Sequence, residues 1–381
     1  MKNFFYNLFA VMFSIFRILP LQKNKIVFLS PHNENFSDSL GAVMDEVIMR
    51  DEFIIIKMSS RLGFDKSSVK AVFESIKTAV SFFTVKAYHL ATSKFIFMND
   101  NFMPMAKLNF RKEAVITQLW HAEGAFKKFG FHIEQPEEIR NIELACSDKL
   151  SYVVCSSEDV ADIYSEAFGV DYEKVLPLGA PRTDKFYKKI NEKRLRDDFD
   201  KLYPQCRGKK LVLYAPTFRE NPADDANILS NIDVKAFNER FPDSVLIIRL
   251  HPQVHSADAD MNGAVNLSDC GDVQKLIRLA DILITDYSSI CMDFALLEKP
   301  IYFYAFDLEK YAADRAFYFD YESYVPGPVA RDFQTLLNLM YSDVSKTYEL
   351  RRSDFVIRNF GMPDGKASER VVDRIIYNKE I

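Results

Sequence analysis

The chain has 381 residues, enough for two or three domains at ~100–200 residues each, and its 48% hydrophobic content excludes a disordered chain. A formal net charge of −5, with no RNP, zinc-finger or basic-helix pattern, argues against a nucleic-acid partner. Only 12 residues are glycine, about 3% against the ~7% of average usage, and none forms G-x-G or G-x-x-x-x-G-K, which sets aside Rossmann dehydrogenases, P-loop NTPases and protein kinases. The 5 cysteines are scattered with no C-x-x-C, which argues against a zinc ribbon or a disulfide framework and fits a reducing compartment.

Residues 4–21 read FFYNLFAVMFSIFRILPL, an apolar run broken by Asn7 and Arg17 and shorter than the ~20 residues that span a bilayer. Arg17-Ile18-Leu19-Pro20 offers no small-residue cleavage site. Lys2, Arg17, Lys23 and Lys25 all precede the first acid, Glu34. Residues 1–23 therefore read first as an amphipathic helix in the plane of a membrane surface, its basic residues drawn to anionic lipid. A buried helix, and behind it a signal peptide or a true span, stay open.

Short β-branched or aromatic runs then alternate with helical-period segments, the pattern of βαβ units and a parallel sheet. Predicted strands at 25–30, 53–59, 94–99, 114–120 and 152–156, with helices at 37–50, 67–83 and 157–168, make a first Rossmann-like domain over 24–190. Charge dominates the next stretch, and 191–210 reads as a linker or surface helix. Strands at 211–216, 244–250, 264–267, 281–285 and 300–304, with helices at 233–240, 273–279, 289–297 and 332–341, make a second over 211–345. Residues 346–381 read as C-terminal helices returning to the first domain.

Ligands of open parallel sheets bind beyond the carboxyl ends of the strands, so the polar residues there are the candidates. His121, in WHAEGAFKKFG, is a general base by residue type, since imidazole titrates near neutral pH, or else a hydrogen-bonded turn histidine; Glu123, Lys127 and Lys128 follow it. Thr217 and Arg219 in LYAPTFRE and His251 in RLHP place donors and a cation where a phosphate would be met. His251 and His255 are four apart, but Pro252 and the missing glutamate of H-E-x-x-H argue against a metal. In ADILITDYSSICMDF a buried strand ends at Thr285 and Asp286, and Ser288 and Ser289 stand at the start of a helix, where free N–H groups and hydroxyls take an anion without glycine; the alternative is a plain serine cap. Asp293, one turn on, meets ribose hydroxyls or forms a salt bridge.

The strings WHAEGAFKKFG, LGAPRTDKFY, LYAPTFRE, RLHP and ADILITDYSSICMDFALLEKPIYFYAFDLEKY, in this order over roughly residues 25–340, resemble the CDP-glycerol glycerophosphotransferase family of teichoic acid synthesis, and the length is most similar to its short primase-type members. The resemblance implies a GT-B fold of two facing Rossmann-like domains, held peripherally on the cytoplasmic face of the cell membrane. It implies transfer of glycerol phosphate from CDP-glycerol to a lipid-linked sugar, an undecaprenyl-diphosphate disaccharide, with release of CMP and no cofactor. His121 would take the acceptor's proton. His251, Arg219, Thr217, Ser288 and Ser289 would hold the diphosphate, Thr285 and Asp286 would shape that site, Asp293 would sit near ribose or glycerol, and Glu123, Lys127 and Lys128 would face the acceptor. A CDP-ribitol enzyme shares most of these motifs. A nucleotide-sugar glycosyltransferase and a non-catalytic saccharide-binding GT-B scaffold are the other readings.

Overall fold

The computed structural model describes residues 2–31, 36–59, 77–219, 221, 228–251, 263–271 and 273–380. They fall into two compact units, one of Met1–Ala125, Phe129–Tyr187 and Asn359–Ile381 and one of Phe126–Lys128 and Lys188–Arg358.

The first unit holds a six-stranded parallel sheet of β1 (Gln22–Ser30), β2 (Ile54–Ser59), β3 (Ser93–Met98), β4 (Val115–Gln118), β5 (Tyr152–Cys155) and β6 (Val175–Pro177), in the order β2-β1-β3-β4-β5-β6. Its central strands are near-continuous apolar runs because both faces are covered. Ile26, Phe28 and Phe97 on one face pack with Leu40, Val43 and Val47 of the helix Ser39–Arg50 and with Val371 and Val372 of the C-terminal helix Ala367–Ile375. Asp38 caps the former by accepting from the Leu40 N–H at 3.0 Å. Strand β6 was not anticipated: three residues ending in proline carry no periodicity. Part of the predicted helix at 67–83 lies outside the described residues, and its remainder continues through a π turn, Phe82–Lys86, into the helix Ala87–Thr92.

The N-terminal helix runs Lys2–Phe16. Phe9 and Phe13 are fully buried, Phe9 against Phe82 and Phe102 and Phe13 against Phe110. Phe4, Leu8, Val11, Ile15 and Ile18, which recur at helical spacing, are exposed. One apolar face is thus core and a second meets solvent. Lys25, counted above with the lipid-facing cations, points inward instead: it is 2% exposed, donates to Thr92 Oγ1 at 2.6 Å and lies over the Tyr88 ring, and burial pulls its amine down to about 8. Among the described residues no helix is long and apolar enough to cross a membrane.

The second unit holds a six-stranded parallel sheet of β7 (Lys210–Ala215), β8 (Ser244–Ile248), β9 (Val265–Asn266), β10 (Ile282–Thr285), β11 (Ile301–Tyr304) and β12 (Val329–Ala330), in the order β12-β11-β10-β7-β8-β9. Read from the other edge this is the doubly wound 3-2-1-4-5-6 arrangement, whose strand order reverses between β7 and β10. The helices Val234–Arg240 and Phe333–Tyr341 cover one face through Phe237, Leu336, Leu337 and Met340. The charged stretch after the first unit forms the helix Glu192–Leu202.

Candidate functional site

In each unit some of the candidate residues lie beyond the carboxyl ends of the strands at or next to the point where the order switches, the place a doubly wound sheet offers a ligand.

In the first unit the switch lies between β1 and β3. Asn99 and Asp100 follow β3, and Asn99 Nδ2 donates to Ser30 Oγ at the end of β1 (3.2 Å) and to the Asp38 carboxylate. His121 follows β4, with its side chain 45% exposed and its Nδ1 3.2 Å from the Asn99 carbonyl and 3.6 Å from Asp100 Oδ2. A carbonyl only accepts, so Nδ1 carries the hydrogen and Nε2 keeps the lone pair a base needs. Trp120 sets the direction of the imidazole: it adopts φ 57°, a left-handed backbone that costs a non-glycine residue ~1–2 kcal/mol. The Trp120 N–H donates to Gln118 Oε1 at 3.0 Å, and its ring lies against Phe129 and Phe168 and 4.0 Å from the His121 ring.

The loop behind His121 is held on every side. Tyr164 Oη donates to the Ala122 carbonyl (2.9 Å), the Gly124 N–H to Ser156 Oγ (2.9 Å) and the Ala125 N–H to Asn359 Oδ1 (3.1 Å). Gly124 has φ +64°, and a Cβ there would stand 2.3 Å from Asn359 Oδ1, so this position of the motif accepts only glycine. Gly130 has φ +57° and would meet the Ala167 carbonyl at 2.0 Å. Glu123 forms an ion pair with Arg182 of LGAPRTDKFY at 3.0 Å, with its side chain only 6% exposed. Its carboxylate is therefore committed within the unit rather than presented to an acceptor, which corrects that expectation.

Lys127 and Lys128 also stand elsewhere than expected, because residues 126–128 belong to the second unit. Phe126 packs against Phe317, Tyr321 and Tyr324, the Tyr318 N–H donates to the Phe126 carbonyl (3.1 Å) and the Lys128 N–H to the Ala316 carbonyl (2.9 Å), and Lys127 bridges Phe317 as an antiparallel pair. Lys127 Nζ donates to Tyr311 Oη at 3.1 Å. Burial pulls this amine down to about 8; Asp286 and Cys291 oppose the shift, while Arg315 and Arg219 add to it.

The second unit's switch is built on a buried ion network. Asp286 Oδ1 accepts from the Thr217 and Tyr287 N–H groups (2.7 and 2.6 Å), joining the ends of β7 and β10. Arg219 pairs with Asp286 at 3.0 Å and with Asp307 at 2.7 Å, and donates to the Thr217 carbonyl at 2.6 Å. Tyr287 donates to Asp307 and stacks on Tyr311 at 3.9 Å, and the guanidinium lies over both rings. Burial pulls Arg219 down and the two carboxylates more than reverse it, whereas for Asp286 burial prevails and its carboxyl is raised. Arg219 is 6% exposed with its hydrogen bonds spent on protein groups, so it scaffolds the switch instead of reaching a diphosphate, a second correction.

Thr217 is 7% exposed, and its Oγ1 has no hydrogen-bond partner among the described residues. Thr285 is buried, with Oγ1 donating to the Ala215 carbonyl at 2.7 Å. The helix after β10 is short, Ile290–Ala295, and Ser289 makes no side-chain cap; Ser288 Oγ accepts from the Ile290 N–H at 3.4 Å. The expected anion site at a helix of 289–297 thus shrinks to a half-buried Ser288 and an exposed Ser289 ahead of a six-residue helix. Asp293 is 4% exposed, inside the unit rather than at its surface. His251 is half-buried at the end of β8 with its ring 4.7 Å from Phe218, and His255 lies outside the described residues. Arg249, which the sequence did not single out, donates to the carbonyls of Leu267, Ser268 and Cys270 and fixes the turn after β9. Asn99 and Asp100 were missed as well, since they follow β3 without a motif.

Each unit is thus a doubly wound sheet with polar residues beyond its strand ends, an oriented histidine in the first and a buried ion network in the second. The chain belongs to the CDP-glycerol:poly(glycerophosphate) glycerophosphotransferase family, whose model matches residues 11–377. It is 34% identical to the teichoic acid ribitol-phosphate primase of Bacillus spizizenii over 94% of this chain and 92% of that one. It is also 34% identical to the teichoic acid poly(ribitol-phosphate) polymerase of the same organism, over 98% of this chain, and spans 60% of that longer protein. The teichoic acid glycerol-phosphate primase of Bacillus subtilis is 32% identical over 67% of each chain. Among solved structures, the wall teichoic acid polymerase TagF matches with a TM-score of 0.74 at 20% identity, covering 99% of this chain and 95% of that one.

Proposed function

We propose that the protein transfers a polyol phosphate from a CDP-linked donor to a lipid-linked saccharide in teichoic acid synthesis, at the cytoplasmic face of the membrane. His121 Nε2 takes the proton of an acceptor hydroxyl, and that oxygen attacks the polyol-bearing phosphorus. The bond from this phosphorus to the bridging oxygen breaks, and CMP leaves with the electron pair. The second unit's switch holds the donor: Thr217, His251, Ser288 and Ser289 contact the diphosphate, Lys127 adds a positive charge beside them, and Arg219, Asp286 and Thr285 keep the strand ends in place. Phosphoryl transfer rests mainly on positioning and charge stabilisation, which these groups supply.

The observation that carries this reading is the fixed imidazole: Nδ1 is held by the Asn99 carbonyl beside Asp100, which leaves the Nε2 lone pair on a half-exposed ring with no partner among the described residues. The sequence motifs suggest CDP-glycerol. The likeness to a ribitol-phosphate primase over nearly the whole of both chains favours CDP-ribitol as the second reading. Incubating the protein with a lipid-linked disaccharide and, in turn, CDP-glycerol, CDP-ribitol and UDP-sugars, with nucleotide release and product mass as readouts, separates them. CMP from one CDP-polyol together with an acceptor heavier by that polyol phosphate is the expected result. Release of nucleotide from a UDP-sugar alone, or from no donor, overturns the proposal.

A further inference from the structure

At the amino ends of the first sheet's strands, the edge away from His121, lies a cavity of about 480 Å3, within the ~300–1,000 Å3 range of ligand sites. Three cations line it: Lys23 at the start of β1, Lys94 at the start of β3, and Arg111 from the segment before β4. Phe53, Phe95 and Tyr377 form its aromatic wall, with Phe53 edge-on to both of the others. Glu113 is the single acid in the lining, and it is exposed. Lys94 Nζ donates to the Glu113 carbonyl, so this amine is steadied at the cavity by backbone.

Arg111 joins this cavity to the N-terminal helix. Its guanidinium donates to the carbonyls of Arg17 and Leu19, just beyond the helix C-terminus, while its Nε–H has no hydrogen-bond partner among the described residues. Leu21 carries the chain on into the cavity lining. The exposed apolar stripe Phe4, Leu8, Val11, Ile15 and Ile18 therefore ends at a cationic, aromatic-walled hole, with Ile18 83% exposed at the junction. A soluble anion would use the cations and leave the stripe uncovered. A neutral lipid surface would cover the stripe and leave the cations unpaired. One amphiphile satisfies both.

We propose that this cavity takes the phosphodiester headgroup of an anionic membrane lipid, whose acyl chains lie along the exposed face of the N-terminal helix. The site is separate from the transfer machinery and rests only on the membrane part of the proposed function: attachment is then selective for a headgroup, beyond the diffuse attraction of a basic surface. Lys23 and Lys94 contact the phosphate, Arg111 adds its positive charge to the wall beside it, and Tyr377 closes one side.

Flotation of the full chain with vesicles of phosphatidylcholine, alone or mixed with phosphatidylglycerol, tests it. The wild type is expected to prefer the mixed vesicles, and Lys23→Glu to lose about tenfold of that preference, the scale set by one lysine at an anionic surface. Ile376→Trp, which fills the cavity without changing charge, should lose the preference too, whereas Lys189→Glu on the exposed surface of the second unit should keep it. Retention of the preference in Ile376→Trp with an unchanged melting temperature would mean diffuse charge alone and would overturn the headgroup site. Should Ile376→Trp fail to fold, equal losses in Lys23→Glu and Lys189→Glu overturn it in the same way. Displacement of the protein from mixed vesicles by millimolar inorganic phosphate would assign the cavity to a soluble anion instead. CMP release from a detergent-dispersed acceptor should be the same for Lys23→Glu and wild type, so failure of the transferase reading shows there and not in the flotation.

Discussion

The two switch points solve opposite problems. In the first unit the functional group is half-exposed and is aimed from one side: a backbone carbonyl holds His121 Nδ1 beside the Asp100 carboxylate, and Trp120 in a left-handed conformation sets the ring. In the second unit the charges are paired inside the protein, with Arg219 and Asp286 buried and Asp307 part-buried against the same guanidinium. A base must stay accessible and keep one nitrogen free, so it is oriented by groups that do not compete for that nitrogen. A donor site must keep several strand ends in register before any ligand arrives, and a buried ion network does that at the cost of removing those charges from ligand contact.

That contrast can be broken residue by residue. The largest effect belongs to the base: His121→Ala should lower kcat for CMP release about 10²–10⁴-fold and leave the melting temperature near wild type. Next comes Asp286→Asn, which leaves the Arg219 guanidinium buried with one carboxylate fewer. It should destabilise the protein by about 3–5 kcal/mol, read as a lower midpoint in denaturant unfolding, with activity lost through folding. Gly124→Ala forces a Cβ into Asn359 at a left-handed backbone and should cost about 1–3 kcal/mol together with part of kcat, since it disturbs the loop behind His121. The smallest effect is Lys127→Met, a several-fold rise in KM for the donor at pH 7 with kcat little changed. Because the Lys127 amine is pulled down to about 8, its charge is present below that pH and lost above it. Donor KM in the wild type should therefore rise as pH passes 8, and in Lys127→Met that rise should vanish; a flat wild-type KM from pH 7 to 9 would remove Lys127 from the donor site.

The alternation of strands and helices was legible because each unit's sheet is buried on both faces and its strands are apolar runs. What escaped were β6 and β12, of three and two residues, too short for any period to show, and the helices Glu137–Ser147 and Leu308–Asp314. At the site, His121, Thr217 and His251 could be named from their place after a strand. The roles of Arg219 and Glu123 could not, since sequence displays a charge and not the carboxylate or guanidinium that neutralises it, and Asp307 lies 88 residues from Arg219. Lys127 was misplaced for a related reason: a motif read as one string divides between two units, because Phe126 finds its aromatic partners at Phe317, Tyr321 and Tyr324. Asn99 and Asp100 bring their carbonyl and carboxylate to a histidine more than twenty residues on, a contact no local pattern displays.

The central claim is a division of labour, with the base in the first unit and the donor site in the second. Calorimetric titration of the preferred CDP-polyol into His121→Ala and Thr217→Val tests it most directly, because the Thr217 hydroxyl has no hydrogen-bond partner among the described residues and valine keeps its shape. The account predicts wild-type donor affinity in His121→Ala and about tenfold weaker binding in Thr217→Val, the worth of one hydrogen bond to a charged group. Donor affinity lost in His121→Ala and retained in Thr217→Val would contradict it.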